Sequence, residues 1–128
     1  MASISAAYGV PTHAVYSASK HAVRALTEAL SLELQPDGIR VCDVFSGYVA
    51  TPMVQRDVAA TAAVARVGGG VLAQPSAVAA VVWGAVQEDA DPRVLHVMAN
   101  ASTWVADKLI QLDALLGLGL TRSFMARM

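Results

Sequence analysis

"LELQPDGIRVCDVF", residues 32–45, changes character at its midpoint, and the change sets the fold class. Upstream, from Ala14 to Gln35, there is no proline or glycine, and Ala, Leu, Glu and Ser dominate. Val15, Ala22, Leu26, Ala29 and Leu30 recur at helical spacing, which predicts a helix over 14–35. Pro36 has no donor to continue that helix, and Gly38 tolerates a left-handed terminus. Downstream, "IRVCDVF", residues 39–45, is apolar at five of seven positions. A short apolar run of this kind is the profile of a strand covered on both faces, as in a parallel sheet. A long helix, a three-residue turn and a buried strand form the returning half of a β–α–β unit.

The rest of the chain continues the alternation. "SGYVATPM", 46–53, reads as a loop at the carboxyl end of the strand. Residues 54–73 mix small and apolar side chains around "GGG" and read as a weak helix with a connection. Pro75 suits the first turn of a helix over 76–88, whose Val78, Val81, Val82, Ala85 and Val86 form an apolar stripe. "DADP" closes that helix, and "RVLHVM", 93–98, is a second buried-strand candidate. Val105, Leu109, Leu112 and Leu116 mark a last amphipathic helix, and the tail "GLGLTRSFMARM" reads as one more short helix.

Composition narrows the function classes. The 128 residues are 55% hydrophobic with a mean hydropathy of +0.50. The longest uncharged run, Val67 to Gln87, is interrupted by three glycines, Gln74, Pro75 and Ser76. Its longest apolar piece, Ala77 to Val86, is too short to cross a hydrocarbon layer of roughly 30 Å. Nine basic and ten acidic residues give a net charge of −1, with no charged run of the kind that binds nucleic acid or an anionic membrane. Cys42 is the lone cysteine, so no internal disulfide forms, and a reducing cytoplasm is the expected setting. No grouped His, Cys or carboxylate residues have metal-ligand spacing, so no metal is expected.

The chemistry sits in "YSASK", residues 16–20. On a helix, Tyr16 and Lys20 share a face with Cβ atoms about 5–6 Å apart. A phenol ionises near pH 10 when unperturbed, too high for a base at neutrality, and a neighbouring ammonium favours its phenolate. Ser17, Ala18 and Ser19 leave room for a flat ligand.

The surrounding residues are more specific than the pair alone. "SISAAYGVPTHAVYSASK", 3–20, closely resembles the active-site segment of the short-chain dehydrogenase/reductase family. There, a serine precedes the catalytic tyrosine by thirteen positions and a lysine follows by four. Ser3, Tyr16 and Lys20 match. "HAVRALTEALSLELQPDGIRVCDV" is similar to the family's next helix and strand. "SGYVATP" is similar to its Pro-Gly-x-Val-x-Thr loop, with Gly47, Val49 and Thr51 matching and Ser46 where proline is usual. That change loosens the loop, because proline mainly restricts the backbone. The resemblance runs over about residues 1–100.

It implies a partial Rossmann-like α/β fold: the C-terminal half of a doubly wound parallel sheet, two retained strands with flanking helices. The chain is then a single partial domain. Residues 1–53 hold the active-site segment, helix, strand and loop, and 54–75 a substrate-lid-like region. Residues 76–100 hold a helix and the last strand, and 101–128 a helical extension. It also implies an NAD(P)-dependent oxidoreductase acting on a secondary alcohol or ketone. Ser3 would orient the substrate oxygen, Tyr16 would act as general acid/base, and Lys20 would tune Tyr16 and hold the nicotinamide ribose. Gly47, Val49 and Thr51 would meet the nicotinamide end of NAD or NADP. Homo-oligomerisation through the helix carrying Tyr16 and Lys20 is the implied assembly.

The family's T-G-x-x-x-G-x-G phosphate turn is not in this sequence, and "VGGGV", 67–71, follows no strand pattern. The expectation is therefore a truncated chain, inactive alone, in which residues before Ser3 leave only a stub of the strand beside 39–45. The competing reading is a non-catalytic remnant that serves as an association module. The remaining candidates read as structural: His13 as a solvated loop residue, with contact to substrate as its alternative, His21 as surface, His96 as a strand residue, Cys42 as a small buried hydrophobe, Asp43 as an ordinary strand-end residue, and Trp83 and Trp104 as core or contact residues.

Overall fold

A computed structural model describes residues 1–56, 72–87, 96–98, 101–120 and 123, with the backbone only at 98 and 101–107. The predicted long helix is α1, Ala14–Glu33. A single 3₁₀ turn, Gln35–Asp37, follows it, and Gly38 then takes the left-handed conformation at φ 72°. Proline and glycine thus stop the helix as their chemistry requires, two residues earlier than the apolar pattern predicts.

The strand is shorter than predicted. β1 covers Asp43–Phe45 rather than 39–45. Ile39 is half exposed, and Arg40 turns its guanidinium onto the carbonyls of Ala85 and Gln87. Arg40 therefore holds the carboxyl end of a helix, where a cation complements the helix dipole. β1 pairs in parallel with β2, His96–Met98, in the register Asp43↔His96, Val44↔Val97 and Phe45↔Met98. On its other edge, the Ala2 amide donates to Val44 O at 2.9 Å and the Ile4 amide to Ser46 O at 3.0 Å. The middle position expected for this strand is present: residues 2–4 run along one side of it and β2 along the other. Of the predicted second strand, residues 93–95 lie outside the described residues.

Alternation along β1 divides the core between two faces. Phe45, fully buried, packs with Ala2, Ala6 and Val23 on the face that α1 covers. Val44 packs with Val78, Val81, Val97, Val49 and Ala73 on the other face. Val78 and Val81 belong to α3, Pro75–Val86, which starts at its proline as expected. Helices on both faces of a parallel sheet make this the partial doubly wound α/β arrangement that the sequence implies.

The loop after β1 is shorter than 46–53. Pro52 is the first residue of a short helix, α2, Pro52–Arg56, because the Thr51 carbonyl accepts from the Gln55 amide. Val49 and Ala73 form a parallel bridge, so the loop before the predicted lid region meets the far end of that region beside the sheet. Residues 57–71 of that region lie outside the described residues. α4, Ala101–Leu116, begins before the predicted Val105 and runs against β2 and the turn at 4–6. Gly117 and Gly119 follow at φ 64° and 68°, and Asp113 Oδ1 accepts from the Leu120 amide at 2.8 Å. Of the expected tail helix, 121–122 and 124–128 lie outside the described residues, as do Glu88 and the Trp104 side chain. No helix among the described residues is long and apolar enough to cross a membrane.

Two expectations about burial are corrected. On α1, the sheet-facing row is Ser17, Val23, Thr27 and Leu30, while Val15 and Leu26 of the predicted stripe are 85% and 58% exposed. Small hydroxyl side chains reach the interior because their polar atoms are satisfied locally. Thr27 Oγ1 donates to Val23 O at 3.0 Å, and Ser17 Oγ accepts from the Val10 amide at 3.0 Å. Cys42 is half-buried rather than buried, and Trp83 stands 68% exposed.

Candidate active site

The carboxyl end of β1, the start of α1 and the turn after residue 3 surround an open cleft of about 190 Å³. Ser3, Ile4, Ser5, Tyr8, Val10, His13, Tyr16, Gly47, Tyr48 and Val54 line it. Each element delivers its residues for a local reason. Residues 2–4 follow β1 by two backbone bonds, then break into a 3₁₀ turn, Ile4–Ala6, capped by Ser3 Oγ accepting from the Ser5 amide at 3.2 Å. That bond fixes Ser3, 9% exposed, at the cleft floor and leaves its own hydroxyl proton to be donated elsewhere.

The loop 7–13 is anchored twice: the His13 amide donates to Val10 O, and the Val10 amide donates to buried Ser17 Oγ. Thr12 adopts a left-handed φ of 64° there, which is strained for a β-branched residue and turns the chain into α1. Tyr16 lies in the first turn of α1, 47% exposed to the cleft. Lys20, one turn on, places Nζ 5.5 Å from the centroid of the Tyr16 ring and donates to Met1 O at 3.4 Å.

Of the residues singled out in the sequence, Ser3, Tyr16 and Gly47 come together in the cleft, and Lys20 stands beside Tyr16. Val49 does not line it; its side chain packs in the Val44–Val78 cluster. Thr51 does not line it either. Its hydroxyl accepts from the Val54 amide at 3.5 Å and its carbonyl from Gln55, so it starts α2.

Two tyrosines of the lining carry no functional reading from the sequence. Tyr8 and Tyr48, with Tyr16, are all the tyrosines of the chain, and all three face the cleft. Their signal was positional: Tyr8 follows Ser3 by five and Tyr48 follows Gly47 directly. His13, read as a solvated loop residue, is exposed and also lines the cleft, with Nδ1 at 3.0 Å from Thr12 Oγ1 and 3.2 Å from Pro11 O.

The Tyr8 phenol is shifted by its surroundings. Burial, then the neighbouring Tyr48, pushes the Tyr8 phenol above its ordinary range, so Tyr8 remains a neutral donor near pH 7. Tyr16 instead has a cationic amine beside it. Among the described residues, no cluster of His, Cys, Asp or Glu is arranged to hold a metal.

Comparison with known proteins places this geometry. Residues 1–62 match the family described as short chain dehydrogenase. A protein named as a ketoacyl reductase of a monensin polyketide synthase, from Streptomyces virginiae, is 54% identical over 56 residues, covering 44% of this chain and 22% of its own. Cyclopentanol dehydrogenase of Comamonas is 46% identical over 56 residues, again 44% of this chain and 22% of its own. Cyclohexanol dehydrogenase of Acinetobacter is 34% identical over 93 residues, 70% of this chain and 35% of its own. The chain thus spans about a fifth to a third of the length of the curated relatives it matches.

Proposed function

The chain belongs to the short-chain dehydrogenase family through its first 62 residues, and on that premise we propose that it is the catalytic portion of an NAD- or NADP-dependent oxidoreductase interconverting a secondary alcohol and its ketone. One observation carries the proposal: Ser3, Tyr16 and Gly47 line a single open cleft, with the Lys20 amine 5.5 Å from the Tyr16 ring. The relatives' names, for a ketoacyl reductase and for dehydrogenases of cyclopentanol and cyclohexanol, share that chemistry.

The residues present fit the nicotinamide-ribose end of such a cofactor. Lys20 uses one ammonium proton on Met1 O and has two more to donate, and the Tyr16 hydroxyl is accessible beside it. Gly47 lines the cleft on the loop that follows β1. A phosphate-cradling glycine turn is not among these 128 residues, so the diphosphate lacks its usual partner here. When bound, the cofactor supplies or accepts the hydride.

The chain's own residues do the rest. Ser3 donates its free hydroxyl proton to the substrate oxygen and fixes its position. Tyr16 takes the proton of an alcohol as it becomes a ketone, and returns it in the reverse direction. Lys20 holds a cationic amine 5.5 Å from the Tyr16 ring while that proton moves. Tyr8, held neutral, serves as a donor in the cleft rather than a competing base. A second copy docks against the exposed face of α1, where Val15, Leu26 and Leu32 are 85%, 58% and 72% exposed. The setting is the cytoplasm, in keeping with a lone, unpaired cysteine.

The test supplies a nucleotide-binding half by fusing the corresponding segment of the Acinetobacter cyclohexanol dehydrogenase ahead of residue 1. The fusion is expected to oxidise cyclic secondary alcohols with a nicotinamide cofactor. Tyr16→Phe is expected to lower kcat by about 10²–10⁴, the usual contribution of a positioned acid/base, with cofactor Kd unchanged. Retained turnover, or loss of folding and cofactor binding together, overturns the assignment and favours the alternative of a non-catalytic association module, which draws on the same exposed α1 face.

A further inference from the structure

We infer that His96 is a pH-sensitive clamp. Protonated, its ring ties α1, the helix bearing Tyr16 and Lys20, to the sheet by bridging Glu28 and Asp43; deprotonated, it lets Glu28 go. His96 opens β2 and lies across from Asp43 in the parallel register, on the face covered by α1. Its Nδ1 is 2.9 Å from Asp43 Oδ1 and its Nε2 is 3.1 Å from Glu28 Oε1. A neutral imidazole has one N–H and one lone pair, so it can satisfy only one of two ionised carboxylates. The doubly protonated ring donates to both, and the observed geometry fits that form.

The surroundings define the switch. The Asp43 side chain is 2% exposed, and its Oδ2 is buried without a hydrogen-bond partner, so the imidazolium is the countercharge within reach. The ring is 18% exposed and lies 5.3 Å from Phe45, tilted by 36°. Arg24 Nε donates to the same Glu28 Oε1 at 3.1 Å, so Glu28 keeps a partner on its own helix when His96 lets go. Release therefore unties α1 from the sheet without stranding a charge. Among the described residues, the charged groups facing the ring are Arg24 and Glu28 from α1 and Asp43 from β1. α3 has no titratable side chain, and on α4 the partners of Lys108 include Gln111 and those of Asp113 include the Leu120 amide.

The electrostatics agree in direction. The hydrogen bond to Asp43, with help from Glu28, holds the imidazole above its ordinary range against the opposing effect of burial. A group raised on folding contributes stability that is fully present below its unfolded value, about 6.5, and is lost as pH rises through the folded value. Glu28 runs the other way. Its bond to Arg24, then that to His96, holds it below the usual carboxylate range, so its share is lost in acid. The clamp is closed between those limits and opens on the alkaline side.

The inference does not depend on the oxidoreductase reading, and NMR titration of the three imidazoles in the 128-residue chain tests it. One imidazole is expected to titrate above 6.5, its midpoint falling in Glu28→Gln and its signal missing from His96→Asn. The melting temperature is expected to fall from about pH 6 to about pH 9 in the wild type, with a flatter fall in His96→Asn. A His96 midpoint at or below 6.5, no response to Glu28→Gln, or an equal pH slope in His96→Asn overturns the clamp. Should His96→Asn fail to fold, the wild-type titration and Glu28→Gln decide by themselves.

Discussion

Replacing Phe45 by alanine removes the largest fully buried side chain among the described residues, and its effect follows from what surrounds it. Phe45 is 0% exposed, with Ala2, Ala6 and Val23 against it, the His96 ring at 5.3 Å and the Arg24 guanidinium at 5.7 Å. Phe→Ala in a core costs about 3–5 kcal/mol, and more when neighbours cannot fill the hole. Ala2 is tied by its amide to Val44 O and Ala6 by its amide to Ser3 O, and neither has a side chain to extend. The void therefore stays open, and about 4–5 kcal/mol is expected, including roughly 0.5–1.5 kcal/mol for the aromatic pair. A chain of this length has of order 6–19 kcal/mol in total. The loss is thus about a fifth or more of the whole. Urea unfolding followed by circular dichroism measures it, with Phe45→Leu as a volume control at under about 2 kcal/mol. A Phe45→Ala midpoint within about 1 kcal/mol of wild type, at an unchanged slope, would refute the assignment of Phe45 as the keystone of this face.

Two further outcomes are expected. Ser17→Ala strips the Val10 amide of its acceptor, so the chain should lose about 1–2 kcal/mol and hydrogen exchange at Val10 should quicken more than at amides in the middle of α1; equal exchange at Val10 before and after contradicts the anchor. Gly38→Ala places a side chain at φ 72° and should lower stability by about 1 kcal/mol, read as a shift in urea midpoint, although nothing lies within 4 Å of the added methyl; a neutral result would mean the turn has another accessible conformation.

Much of the fold was legible because backbone chemistry wrote it. Pro36 and Gly38 stop α1 where stereochemistry requires, Pro75 starts α3, and the apolar run around Val44 and Phe45 is buried on both faces. What misled was hydropathy. Ser17 and Thr27 lie on the buried side of α1 while Val15 and Leu26 face out, because each hydroxyl finds a backbone partner, Thr27 within the helix and Ser17 in the loop before it. Ile39 to Cys42 look like strand, yet Arg40 is drawn to the end of α3, a tertiary contact that no local pattern announces. In the site, Ser3, Tyr16, Lys20 and Gly47 were singled out by the family resemblance rather than by spacing alone. Tyr8 and Tyr48 were not, since a lone aromatic carries no period. The Asp43–His96–Glu28 bridge was hidden altogether, because three elements must assemble before its members meet.

The three backbone runs that make the sheet come from the front, the middle and the rear of the chain. Asp43 and His96 stand 53 positions apart, and closing a loop of that size costs roughly 3.5 kcal/mol in chain entropy before any contact rewards it. Such high contact order slows folding. During synthesis at about 5–20 residues per second, β1 is made several seconds before β2. For that interval its edge is an open template, and the speed of the ribosome becomes a factor in whether the first strand waits for its own partner or meets a stranger's.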